Sequence, residues 1–134
     1  MNEEIKRRWV EALRSGEYQQ TTETLHDVHG YCCLGVLCDL VDPSQWITST
    51  VPDEYIYNGE SAELPSSVSD QVGLDNRDPE LTVRCRYCDG TGTVEYQIPC
   101  INCAGDGIRS LTLSSINDDG YTFQQIADAI EAQL

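Results

Sequence analysis

The sequence predicts a small α+β domain, with four or five helices around a short antiparallel sheet and a cysteine-rich hairpin module inserted into it. Three observations carry this. Apolar residues recur at helical spacing in three separate stretches, β-forming residues concentrate between Trp46 and Tyr57, and residues 85–107 hold two copies of the pattern CxxCxGxG. A chain of 134 residues has the size of one domain, so residues 1–134 are read as a single domain with the module inserted over residues 82–110.

The first helix is expected from about Glu3 to Arg14. Asn2 can cap it, Glu3 and Glu4 favour its positive end, and Ser15-Gly16 stops it. Ile5, Trp9 and Leu13 form one apolar stripe, which places Trp9 in the core. A polar stretch from Glu17 to Thr24 leads into the most apolar segment, Tyr31 to Val41. Cys33, Val36, Leu37 and Leu40 there follow helical spacing, so a buried helix is predicted, ending before Asp42-Pro43. Gly35 inside it costs about 1 kcal/mol relative to alanine and implies close packing on a neighbour.

Residues 46–64 read as short strands, with Trp46 to Val51 rich in β-formers and Tyr55-Ile56-Tyr57 preceding the turn pair Asn58-Gly59. Pro65 to Val72 reads as a short helix with proline at its start and Gly73 at its end. After the loop Asp75–Pro79, Leu81 to Arg84 enters the cysteine-rich module as a strand, and Gly92 to Pro99 forms the excursion between its two repeats. A short helix is expected from Leu111 to Asp118, stopped by Gly120. The last helix is the clearest: Thr122 and Gln125 stand at capping-box spacing, and Phe123, Ile126, Ala127 and Ile130 face one way. These two helices have the outline of the first part of a helix-turn-helix, but no recognition helix follows within the chain.

The repeats are Cys85-Arg-Tyr-Cys88-Asp-Gly90-Thr-Gly92 and Cys100-Ile-Asn-Cys103-Ala-Gly105-Asp-Gly107. Two CxxC pairs supply the four thiolates of a closed tetrahedral zinc site, and the glycines allow the tight backbone such a site needs. One Zn²⁺ per chain is therefore expected on Cys85, Cys88, Cys100 and Cys103. The doubled motif resembles the cysteine-rich module of DnaJ-type chaperones, which carries four repeats and two zincs; this chain has half of it. The resemblance covers about residues 83–109, and the His-Pro-Asp triplet of a J domain is absent, so it implies no co-chaperone role.

Seven cysteines, an odd number, fit four metal ligands and three reduced thiols better than a disulfide framework. With a charged N-terminus and no apolar run of membrane-span length, the chain is expected in the cytoplasm and off the membrane. The formal net charge of −15 disfavours binding to duplex nucleic acid, which needs cations facing phosphates. It suits solubility, and equally a partner protein with a basic surface or mimicry of nucleic acid.

Arg84, Arg86 and Arg109 flank the module. They either bind a small anionic ligand there or offset the charge of the thiolates. The string His26-x-x-His29-x-x-Cys32-Cys33 offers ligands for a second metal or a nucleophile–base pair, but its cysteines lie in the apolar segment, where they also serve as small core residues.

A second resemblance covers most of the chain. Arg7 to Tyr18, Tyr31-Cys-Cys-Leu-Gly-Val-Leu-Cys-Asp39, Leu64-Pro65 and Ser114 to Asp128 are similar to a family of short proteins of tailed phages and prophages, here interrupted by the cysteine repeats. That resemblance implies an accessory role in host takeover or counter-defence, inside the bacterial host cell. Three readings follow: a non-catalytic protein that binds a host or defence protein, a sponge for a small anionic nucleotide signal, and an enzyme using Cys32 or Cys33 with His26 or His29.

Overall fold

The structure, a computed structural model, describes residues 1–134 and has an α+β fold of five helices and three two-stranded antiparallel sheets. Helix α1 (Glu3–Arg14) begins where the Asn2 side chain accepts the Ile5 N–H at 3.0 Å. It lies along the last helix, α5 (Phe123–Gln133), whose N-terminus is closed by the predicted capping box of Thr122 and Gln125. Arg14 fastens the pair from outside through ion pairs to Asp128 and Glu131.

The central helix α2 (Cys33–Val41) is buried along most of its length. It packs on α1, whose Trp9 indole N–H donates to the Cys33 carbonyl at 2.9 Å, and on α4 (Leu113–Asp118). Gly35 is required, because a Cβ there would lie 1.8 Å from the Leu25 carbonyl oxygen. The core that results joins Trp9, Leu13, Leu34, Leu37, Ile116 and Ile130 and extends to Val68 and Val72 of α3 (Ser66–Val72).

The strands correct the sequence reading in three places. One sheet was expected; instead β1 (His26–Asp27) pairs β2 (Gly30–Tyr31), β3 (Trp46–Thr48) pairs β4 (Tyr55–Tyr57), and β5 (Glu80–Arg84) pairs β6 (Ile108–Thr112). The apolar segment does not begin as helix at Tyr31. That residue belongs to β2, in a hairpin whose turn is closed by the Asp27 carboxylate accepting the His29 and Gly30 N–H groups, and Cys32 is the cap of α2. Finally, Leu111 and Thr112 end β6, and the helix after them starts at Leu113. The Asn58-Gly59 turn forms as expected, with both residues at positive φ.

Around the first two sheets lies an aromatic cluster. The His26 ring stacks on Tyr31 and Tyr55, with centroids 3.8 and 4.4 Å away, and the Trp46 and Tyr57 rings meet edge to face. Asp39 accepts hydrogen bonds there from the Tyr18 hydroxyl (2.7 Å) and the Trp46 indole (3.1 Å). No helix is long and apolar enough to cross a membrane.

Candidate metal centre

Strands β5 and β6 run from the core directly into the cysteine repeats. Leu81 and Val83 face the core, and the strand ends Arg84 and Ile108 are paired, so both repeats leave one point on the domain. Beyond it, each repeat folds as a knuckle that hands a bond to the other. The Cys85 N–H donates to the Gly107 carbonyl and the Cys100 N–H to the Gly92 carbonyl, both at 2.9 Å. Within the knuckles the Gly92 N–H points at Cys88 Sγ (3.3 Å) and the Gly107 N–H at Cys103 Sγ (3.2 Å). Each contact of one repeat thus has a counterpart in the other.

Two glycines are fixed by this interlock as well as by their positive φ. A Cβ on Gly92 would stand 2.3 Å from the Gly105 carbonyl oxygen, and one on Gly107 would stand 2.5 Å from that of Gly90. The sequence pattern therefore encodes the approach of two chains, not only loop flexibility.

The four sulfurs are buried and lie within 4.8 Å of one another; Cys85 and Cys100 are 3.9 Å apart and Cys88 and Cys103 3.7 Å. These separations are far longer than a disulfide bond of about 2.05 Å. Four converging thiols of this kind could hold a metal ion. Burial raises the Cys85 thiol. At Cys88 desolvation, which raises its pKa, is outweighed by the Gly92 N–H and the neighbouring sulfurs, which hold it at about 7.

The three flanking arginines all have protein partners. Arg84 Nε donates to the Asp89 carbonyl at 2.8 Å, folding the arginine over Gly90. Arg86 Nη1 donates to the Asp119 carbonyl (2.8 Å) and Arg109 Nη1 to the Asp119 carboxylate (2.6 Å), while the Tyr87 hydroxyl donates to the same carboxylate (2.9 Å). Arg84 and Arg86 share a cleft of about 290 Å³ with Gly120, Tyr121 and Gln125; Arg109 does not line it. Asp119 and Tyr121, which tie the first knuckle to the turn between α4 and α5, were not singled out by the sequence. Nothing in their spacing marks them, since their partners lie some thirty residues away.

The His26–Cys33 string does not assemble. His26 Nδ1 lies 2.6 Å from the Gly30 carbonyl oxygen, His29 is exposed, and Cys33 Sγ contacts the Leu113 carbonyl oxygen at 3.6 Å. Burial pushes the Cys32 thiol up to about 12 and Cys33 well above the ordinary thiol range, so both are neutral and poor nucleophiles. The four repeat cysteines are the only histidine, cysteine or carboxylate group that converges as metal ligands.

The module also carries most of the exposed large apolar side chains. Tyr96 and Ile101 are 92% and 91% exposed, with Val94, Ile98 and Ile108 about half exposed. Tyr96 and Gln97 both sit at positive φ in the excursion between knuckles, a conformation that costs non-glycine residues about 1 kcal/mol or more. By the repeat correspondence Ile101 is the counterpart of Arg86, yet Arg86 docks on the domain and Ile101 faces water.

Neither the curated proteins nor the solved structures contain a match to the chain. A family model described as a domain of unknown function, DUF8296, matches residues 1–134, and the chain belongs to that family.

Proposed function

We propose that the chain is a small, acidic, zinc-stapled binding protein that acts on a partner protein without catalysis. Zn²⁺ is the ion assigned to Cys85, Cys88, Cys100 and Cys103, one per chain. A tetrahedron of sulfurs about 2.3 Å from zinc has edges of about 3.8 Å; the Cys85–Cys100 and Cys88–Cys103 pairs, at 3.9 and 3.7 Å, match it, and all four sulfurs lie within 4.8 Å of one another. With four thiolate ligands the ion supplies folding free energy to a module with little core of its own, and offers no open position for water.

The observation that carries the binding role is the exposure of Tyr96 and Ile101 on this stiffened module. Apolar side chains held almost fully in water, one of them at a strained φ, are what an unoccupied docking face presents. The likeness of Tyr31–Asp39 and the flanking segments to tailed-phage proteins supports a host or defence protein in the bacterial cytoplasm as the partner. The cleft shared by Arg84 and Arg86 supports a second reading, sequestration of a small anionic nucleotide, although both guanidiniums would have to leave the carbonyls they now meet.

Elemental analysis of reduced protein should give one zinc per chain, lost in Cys100→Ser. Affinity capture from a bacterial lysate should recover a partner with the wild type and not with the double variant Tyr96→Asp, Ile101→Asp, which keeps its zinc. A zinc-free native protein rejects the metal assignment; a partner retained by the double variant rejects the docking face.

A further inference from the structure

The β5–β6 hairpin has two outer edges, and the chain treats them differently. The Cys85 N–H bond to Gly107 sets the phase of the ladder. Val83 pairs Arg109 and Leu81 pairs Leu111 through hydrogen bonds, while the main-chain groups of Thr82 and Ser110, which face each other in register, point outward. On the β5 side those outward groups are closed by side chains. The Gln133 amide accepts the Thr82 N–H (2.8 Å) and donates to the Thr82 carbonyl (2.7 Å), the same two bonds that a residue of an antiparallel strand would exchange. The Tyr121 hydroxyl does the same duty further along, donating to the Arg84 carbonyl at 2.7 Å and accepting the Arg86 N–H at 3.3 Å.

The β6 side has no such closure. The outward main-chain groups of Ile108 and Ser110 meet no protein partner, and both residues are exposed, Ile108 by 54%. β6 carries no proline, lysine or bulge, and its one charged side chain, Arg109, is turned away from the outer face and bonded to Asp119. Ile108 and Ser110 lie on the outer face of the hairpin beside Glu80, whose carboxylate accepts the Ser110 hydroxyl.

We propose that the outer edge of β6 takes an extended segment of a partner protein as a third strand, bonded to the main chain of Ile108 and Ser110. The segment has β-branched or apolar residues in alternation, one of them covering Ile108, and lysine or arginine on its flanks. The net charge of −15 and the Glu80 carboxylate beside Ser110 favour such cationic flanks, and Arg84, opposite Ile108 on the same face, is already paired with Asp89. This inference rests on the protein-binding reading and specifies how the partner is gripped.

The test uses the zinc-loaded chain and the fluorescein-labelled peptide KKTVTITVKK, followed by anisotropy and amide hydrogen exchange. Saturable binding is expected, with exchange of the Ser110 amide slowed at least about tenfold on saturation. Ser110→Pro should abolish binding, because proline removes an outward N–H that takes no part in pairing with β5, and Ser110→Ala should retain it. The same peptide N-methylated at alternate residues should not bind the wild type, a result that stands even if Ser110→Pro perturbs the fold. Absence of saturable binding, equal binding by Ser110→Pro or by the methylated peptide, or an unchanged Ser110 exchange rate overturns the proposal. If the peptide fails while lysate capture succeeds, the edge is wrong and the binding role survives; if capture fails while the peptide binds, the edge stands and the role falls.

Discussion

Asn117, with no exposed surface, makes four hydrogen bonds: its Oδ1 accepts from the Cys33 N–H and the Gln20 amide, and its Nδ2 donates to the Thr21 carbonyl and to Asp118. It joins α4 to the start of α2 and to the segment before β1. Asn117→Ala leaves the buried Cys33 N–H unpaired and removes the bond to the half-buried Thr21 carbonyl, and should cost about 2–3 kcal/mol by urea denaturation. No sequence pattern marked Asn117, since a polar residue between Ile116 and Asp118 reads as the exposed side of a short helix. Gly35, by contrast, was legible, because glycine inside an apolar helix has a cost that only close packing explains. The cysteines also divide as their neighbours suggest. A thiol raised to about 12 carries a thiolate fraction of only about 10⁻⁴ at pH 8, and Cys33 and Cys38 are raised as well, so these three should resist iodoacetamide in the folded protein. Mass spectrometry after chelation should therefore find four adducts and not seven.

Elements whose signals are local were readable; those made by distant partners were not. Helices α1 and α5 carry their own caps and stripes, and both lie where the sequence put them. Strand β6 was missed because Ile108–Thr112 has no marked alternation and its partner β5 lies beyond the whole cysteine module. The hairpin of β1 and β2 is illegible for a different reason: its two-residue strands are too short for periodicity, and the Asp27 side chain that closes its turn leaves no repeating pattern. The turn between α4 and α5 is the element that orients the module, since Asp119 receives Arg109 and Tyr87 on its carboxylate and Arg86 on its carbonyl. Asp119→Ala should leave zinc content unchanged while amide exchange in residues 85–92 quickens by about tenfold, loosening the module without unfolding α5.

At the scale of the molecule, the four repeat cysteines form an apolar cluster separate from the core of twenty-five buried residues that the helices share. Removal of the metal with a chelator should therefore unfold residues 85–107 and leave the helical circular dichroism nearly intact; loss of the whole helical signal would mean that the module is integral to the domain. The α+β class and the four clustered cysteines were both legible, because periodicity and spacing report them directly. What the sequence hid is how the cluster is held to the domain, which depends on the Asp119–Tyr121 contacts and on pairing across the hairpin.

That pairing also predicts that the cysteine module can be cut out of the chain. Cys85 and Gly107 lie one step beyond the last strand pair, Arg84 and Ile108, and are joined by the Cys85 N–H bond to the Gly107 carbonyl; if the Gly107 N–H, now on Cys103 Sγ, turned to the Cys85 carbonyl, the two would form the pair that flanks a two-residue β-turn. A gene that loses the codons for residues 86–106 and gains Asn-Gly in their place would close β5 and β6 into an ordinary hairpin. The shortened chain should fold to the same helical core with no metal requirement, as its heat denaturation in the presence of chelator would reveal. The same geometry read in reverse predicts that residues 86–106, grafted in place of the two-residue turn of another antiparallel hairpin, should leave that hairpin's strands paired.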